Sequence, residues 1–184
     1  MVSCLVGIGS NLGDSLATLQ WLYAHWPQTP FYENSRFSSI YRSAPIGPGQ
    51  QQDYLNAAVT FEFDSGSAAS ALEGLQGIED LAGRVRAERW GPRVLDLDLL
   101  LFGDSVINEP ALTVPHPRMW ERNFVIAPMI ELLGENWPTP LGLSLGDQLG
   151  RCQPNRIQST SHSWFGEVTP SAKERPKARR QLEQ

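Results

Sequence analysis

Lysine is missing from the first 150 residues of this 184-residue chain, and that gap excludes more chemistry than any other in its composition. A Walker-type nucleotide loop needs a lysine on the phosphates, and Schiff-base catalysis needs an amine. Neither can be assembled from residues 1–150. Cysteine is nearly as scarce. Cys4 and Cys152 form no CxxC pair, so a disulfide framework and a cysteine zinc site are both ruled out. Cys4 lies in an apolar run and reads as a buried, inert thiol. No apolar run approaches the roughly 20 residues of a membrane span, and no basic n-region opens the chain. The expectation is a soluble, cytoplasmic monomer with no membrane partner.

The positive charge of the main body is all arginine, and it is unevenly placed. Residues 1–150 hold eight arginines against 17 acidic side chains, whereas 151–184 hold seven basic and three acidic ones. A body this acidic repels nucleic acid, so no such partner is expected and any anion must be gripped locally. With 41% hydrophobic residues, the length suits a single domain, assigned to residues 1–150. Residues 151–184 lose apolar periodicity and gain Ser, Pro and basic side chains, which reads as a mobile basic tail.

Residues 2–8 form an apolar run suited to a central strand. Leu12, Leu16, Leu19, Tyr23 and Trp26 then follow at helical spacing, with Ser10, Asn11 and Asp14 as capping candidates. A second strand is expected over 37–41, and a Pro/Gly loop over 43–49. In a strand over 56–63, Ala57, Val59, Phe61 and Phe63 share one face, while Asn56, Thr60 and Glu62 share the other. Residues 67–82 read as a helix with Ala71, Leu75, Ile78 and Ala82 buried. The strand over 95–102 turns Leu95, Leu97, Leu99 and Leu101 to the core. Val106 and Ile107 are expected to pair back through Gly103-Asp104, and Pro128 to start a short helix over 128–133. The plan is α+β, helices covering a mostly antiparallel sheet.

Chemistry concentrates between Arg84 and Asp98. Arg84, Arg86, Arg89 and Arg93 crowd into ten residues, and Asp96 and Asp98 follow on one strand face, backed by leucines. Surface ion pairs contribute only ~0–1 kcal/mol each, so they do not account for such crowding. Guanidinium groups bind phosphate oxygens bidentately, and paired carboxylates on rigid backbone suit a hard cation. The combination fits a polyphosphate with bound magnesium. Trp90-Gly91-Pro92 stiffens the intervening turn and offers an aromatic face. His116, held between two prolines, suits presentation of a ring nitrogen to phosphate, with Arg122 six residues on. Tyr54, Asn56 and Phe124 could supply aromatic platforms and a carboxamide for a flat heterocycle, although ordinary core roles serve each equally well. Two rivals stay open: another magnesium-dependent nucleotidyl or phosphoryl transferase, and an α+β module that binds RNA or a regulatory nucleotide.

Five segments occur in an order that resembles the 6-hydroxymethyl-7,8-dihydropterin pyrophosphokinases of folate biosynthesis. They are IGSNLGD at 8–14, YRSAPIG at 41–47, DYLNAAV at 53–59, GRVRAERWGPRVLDLDLLLFG at 83–103 and VPHPRMWER at 114–122. The resemblance implies a ferredoxin-like α+β fold and transfer of the β,γ-diphosphate of ATP to a pterin hydroxymethyl group, releasing AMP. It implies magnesium on Asp96 and Asp98, and Arg84 and Arg93 on the transferred phosphates. Arg86 and Arg89 would lie on a mobile closing loop. Gln76, Glu79, His116 and Arg122 would line the nucleotide, with Trp90 and Leu99 beside them. Tyr54, Asn56, Phe124 and the backbone around Ser43, Ala44 and Ile46 would hold the pterin. Ser43-Ala44 stands where Thr-Pro is often found, and Trp120 where His is common.

Overall fold

The computed structural model describes residues 1–26, 33–46, 51–64, 66–83, 92–153 and 155–165. The chain opens with β1 (Val2–Ser10), and the following turn leads into α1 (Ser15–His25). Asp14 caps that helix, its carboxylate accepting the Ala17 N–H at 3.0 Å, a contribution of ~1 kcal/mol. The cap starts the helix later than the leucine spacing suggests. Leu12 precedes it and is 44% exposed, while Leu19 and Leu22 are fully buried.

The expected strand over 37–41 is interrupted. β2 (Glu33–Phe37) and β3 (Tyr41–Ser43) run separately along β4 (Tyr54–Phe63), because Ser38 turns aside. Its hydroxyl accepts the Ala58 N–H at 2.9 Å, and its own N–H donates to the Ala58 carbonyl at 3.0 Å. Next, α2 (Ala68–Leu81) opens on a reciprocal cap between Ser67 and Ser70 and closes at Gly83, whose φ of +85° suits glycine. β5 (Asp96–Phe102) completes a sheet of order β5-β1-β4-β3, every neighbouring pair antiparallel.

Several expectations need correction. β5 carries a bulge, since Leu5 faces Leu101 while Val6 already faces Leu99. The extra residue re-aims Leu101 away from the core that Leu95, Leu97 and Leu99 share. Ile107 does not pair back on β5. Instead β6 (Ile107–Glu109) forms its own hairpin with β7 (Leu112–Val114). Pro128 lies inside α3 (Asn123–Leu133), where it has no N–H for the Phe124 carbonyl. Burial of Ile126, Met129 and Leu132 on one stripe sustains the helix through it. α4 (Leu145–Arg151) follows, and then β8 (Ile157–Ser159), which pairs with β3 and extends the sheet. The first part of the supposed tail is therefore structure; residues 166–184 lie outside the described residues.

The sheet has two covered faces. Leu19 and Leu22 of α1, Trp26 just past its end, and Ala71 and Leu75 of α2 pack on Val6, Ile8, Val59, Phe61 and Leu97. On the other face Ile126 and Met129 of α3, with Leu145 of α4, pack on Leu5, Ala58 and Leu100. No helix among the described residues is long and apolar enough to cross a membrane.

Candidate active site

Along β1, β4 and β5, the α3 face changes character part-way. Leu5 gives way to Gly7 and Gly9 on β1, Ala58 to Asn56 and Tyr54 on β4, and Leu100 to Asp98 and Asp96 on β5. α3 covers the apolar half. The remainder floors a cavity of about 260 Å³, walled by Ser43, Ala44 and Ile46 on one side and by His116, Arg118, Arg122 and Phe124 on another. Gly9 pairs with both Asn56 and Asp96, and Gly7 with both Ala58 and Asp98. A methyl group at Gly9 would sit 3.8 Å from the Tyr54 ring and 3.9 Å from Asn56 Oδ1, which is ordinary contact. The fold tolerates a side chain there; the glycine keeps the floor open.

The acidic edge of this floor is held firmly. Asn11 Oδ1 accepts the Arg93 N–H at 2.9 Å, and the Arg93 carbonyl accepts the N–H groups of Asn11 and Leu12 at 3.0 and 3.2 Å. The guanidinium of Arg93 pairs with Asp96. Burial acts to lower the Arg93 pKa, but Asp96, by charge and hydrogen bond, and then Asp98 hold it above the ordinary value. Asp96 and Asp98 are hard oxygen donors facing one cavity. Among the described residues no group of three or more His, Cys, Asp or Glu forms a metal cage. Two carboxylates without a cage fit magnesium, which keeps open positions for water and phosphate oxygens.

The basic wall is crowded. His116 is anchored by its N–H to the Leu100 carbonyl at 3.0 Å, and its Nδ1 accepts the Arg118 N–H at 3.3 Å. That bond leaves the ring proton on Nε2, ready to donate. Burial pushes the imidazole below its ordinary pKa; Arg122 and Arg118 act the same way, and Asp98 and Asp96 oppose them only in part. His116 is thus a neutral donor at pH 7. Burial, and then Arg118, also depress the Arg122 guanidinium. Cations packed this closely gain from an anion between them.

The third wall suits a planar ring. Asn56 is 4% exposed and its Nδ2 donates to Ser43 Oγ at 2.9 Å, so its Oδ1, beside Gly9, is presented to a donor. Burial, and then Asp96, raise the Tyr54 pKa, keeping a neutral phenol at the cavity. Phe124 lines the same cavity from α3, with the Arg122 guanidinium 5.7 Å from its ring centroid.

Not every expected residue reaches the cavity. Glu79 is 3% exposed, and its carboxylate accepts the Leu97 N–H at 2.7 Å, closing a backbone donor on the outermost strand. Leu99 is 3% exposed and alternates with Asp98 into the opposite core. Gln76, on α2, is absent from the cavity lining as well. Ala44 lines the wall, but its N–H donates to the Arg156 carbonyl at 3.0 Å and is spent within the protein. Arg84, Arg86, Arg89 and Trp90 lie outside the described residues. Sequence reasoning missed Gly7, Gly9 and Arg118. The glycines were legible as a period-two pair on a strand, whereas the 3-10 turn Met119–Glu121 gives Arg118 no periodic signal.

Residues 5–134 match the profile of the 7,8-dihydro-6-hydroxymethylpterin-pyrophosphokinase (HPPK) family. The chain belongs to that family. Proteins named 2-amino-4-hydroxy-6-hydroxymethyldihydropteridine pyrophosphokinase are similar to it at comparable levels. The one from Synechocystis sp. is 43% identical over 136 residues, covering 74% of this chain and 68% of the relative. The one from Bacillus subtilis is 42% identical over 127 residues, covering 69% and 75%. Among solved structures, the Plasmodium falciparum HPPK-DHPS crystal structure with pteroate superposes with a TM-score of 0.61 at 11% identity. It covers 82% of this chain, which spans 42% of that longer one, and the likeness bears on the fold alone. The HPPK match ends close to the C-terminus of α3, so α4 and β8 fall beyond it.

Proposed function

We propose that this chain transfers the β,γ-diphosphate of ATP to the hydroxymethyl oxygen of 6-hydroxymethyl-7,8-dihydropterin, releasing AMP, as a step of folate biosynthesis. The observation that carries this reading is one cavity combining three unlike walls: paired carboxylates, crowded cations, and an aromatic pair with a buried carboxamide. A nucleoside triphosphate alone would need only the first two. Membership of the HPPK family, with relatives at 36–43% identity, supports it independently.

The bond formed joins the hydroxyl oxygen to the β-phosphorus, the bond broken leaves the bridging oxygen on AMP, and the hydroxyl proton passes to water. Such transfers are catalysed by positioning and charge neutralisation rather than by a protein nucleophile. Asp96 and Asp98 would hold magnesium, which when bound acts as a Lewis acid on the phosphate oxygens. Arg93 would turn from Asp96 to the transferred diphosphate, with Arg84 on the same phosphates and Arg86 and Arg89 closing over them. His116 Nε2–H, Arg118 and Arg122 would donate to the nucleotide. Asn56 Oδ1 would accept from the pterin edge while Tyr54 and Phe124 cover its faces.

The ferredoxin-like reading is supported by the β-α-β-β-β-α-β order through β5, in which β2 and β3 both pair with β4 in the place of one strand, with α1 and α2 on one face of a sheet ordered β5-β1-β4-β3. A cytoplasmic monomer without nucleic-acid or membrane partners remains the reading of the acidic body. The test is AMP release from ATP and magnesium with and without the reduced pterin alcohol. Stimulation confined to the pterin alcohol is expected; equal stimulation by a panel of unrelated hydroxyl acceptors would point to a different transferase.

A further inference from the structure

The pterin-side wall is built on a loop whose two ends are fastened by one dipeptide outside the family match. At the loop's entry, the Ala44 N–H donates to the Arg156 carbonyl at 3.0 Å, and Asn155 Nδ2 donates to the Ala44 carbonyl at 3.1 Å. At its exit, the Arg156 guanidinium donates to both carboxylate oxygens of Asp53 at 2.8 Å, and Asp53 immediately precedes Tyr54. Arg156 and Asn155 lie more than twenty residues past the end of the HPPK match at 134.

That dipeptide is itself anchored. The Asn155 carbonyl accepts from Asn123 Nδ2 at 2.8 Å, at the first turn of α3 and one residue from Phe124. Downstream, β8 pairs with β3, and Thr160 donates through both its N–H and its hydroxyl to the Ile40 carbonyl, at 3.0 and 2.8 Å. Trp164 Nε1–H then donates to the Ser38 carbonyl at 2.8 Å, with the indole packed on Phe37 and Tyr23. One guanidinium nitrogen, Nη2, spans both Asp53 oxygens, so this contact sets the distance of the loop's exit from Arg156, while the backbone bonds of Ala44 and the β3–β8 pairing fix the strap's direction.

We infer that Asn155 and Arg156 are positioning residues for the pterin subsite, a strap that sets the spacing between Ala44, Tyr54 and Phe124. The inference rests on the pterin reading of the cavity and adds where that subsite gets its rigidity. The strap touches Ala44, Asp53 and Asn123, all beside the aromatic and carboxamide wall, and leaves Asp96, Asp98 and His116 untouched. Because Asn123 also adjoins Arg122, loosening the strap acts first on the pterin and less on the nucleotide.

The test uses the full-length chain with Asn155→Ala, Arg156→Asp, and the charge-swapped double variant Asp53→Arg with Arg156→Asp. Each is assayed for pterin and ATP dependence, for thermal midpoint, and for hydrogen exchange of the amides at 44 and 53–54. The expected result for the single variants is a rise in pterin KM of roughly tenfold, the scale on which small misplacements act. ATP affinity and kcat should change less than about twofold, exchange at Ala44 should quicken, and the charge swap should recover much of the loss. Unchanged pterin KM in folded variants overturns the inference, whether or not exchange quickens. So does parallel weakening of both substrates with a fallen midpoint, which marks a merely structural strap. Wild-type protein that makes no pterin-dependent AMP would instead sink the functional reading beneath it.

Discussion

The two faces of the sheet are made from the same three strands and come out differently. On the α1/α2 face, Ile8, Ala57 and Leu97 continue an apolar layer to the strand ends, and two helices seal it. On the α3 face, the register neighbours Gly9, Asn56 and Asp96 replace that layer with open space, an amide and a carboxylate. One face is packed for stability and the other is left unfinished for chemistry. Alternation along a strand allows both, because each backbone position commits a side chain to one face only.

Substitutions on the two faces should separate activity from stability. The largest effect is expected for Asp96→Ala or Asp98→Ala, with AMP formation falling at least about 100-fold, or roughly 2.7 kcal/mol in the barrier. The thermal midpoint should barely move; near-normal turnover would remove these residues from the metal site. Phe61→Ala, on the closed face and 1% exposed, should cost roughly 3–5 kcal/mol of unfolding free energy in denaturant titrations. Specific activity of the molecules that remain folded should be unchanged.

Gly9→Val tests whether the open floor matters. Its added methyl groups would enter the cavity rather than the core, so pterin binding by titration should drop by about tenfold or more while the fold persists. Glu79→Ala separates a structural role of this carboxylate from a nucleotide-binding one. Loss of the carboxylate leaves the Leu97 N–H unsatisfied, at about 1–3 kcal/mol of stability, and KM for ATP should stay within twofold of wild type. Were ATP affinity to collapse instead, Glu79 would belong to the nucleotide site after all.

The smallest effect concerns Cys4, 1% exposed on the closed face. Burial, and then Glu62, push its thiol up from the ordinary 9.0 to about 12. The unfolded thiol ionises first, so the stabilisation is complete below pH 9 and fades as pH rises toward 12. Little difference is expected at neutral pH, but a denaturation series across that range should show a clearly shallower alkaline loss for Cys4→Ala than for wild type. In native protein at pH 8, Cys4 should resist alkylation.

Much of this arrangement was legible along the chain, and what was not has a common cause. Asp96 and Asp98 could be placed on one face from alternation alone, as could the Phe61 face of β4, since period two needs no knowledge of neighbours. The backbone partner of Glu79, the Leu97 N–H, was not legible because it lies on another element at a contact no spacing encodes. The bulge at β5 likewise depends on β1 and sent Leu101 to the other face.

What the amino-acid order settled unaided was local and periodic: strands β1, β4 and β5, the two amphipathic helices, the carboxylate pair and the family motifs from 8 to 122. Tertiary structure alone decided which face stayed open, that Arg118 joins Arg122 and His116, and that residues 155–165 return to brace the loop after β3. Those outcomes depend on pairings between segments up to 143 positions apart, as with Gln20 on the Ser163 carbonyl. Hydrogen bonds and side-chain packing at that separation follow from how the chain closes on itself, and no local pattern carries them.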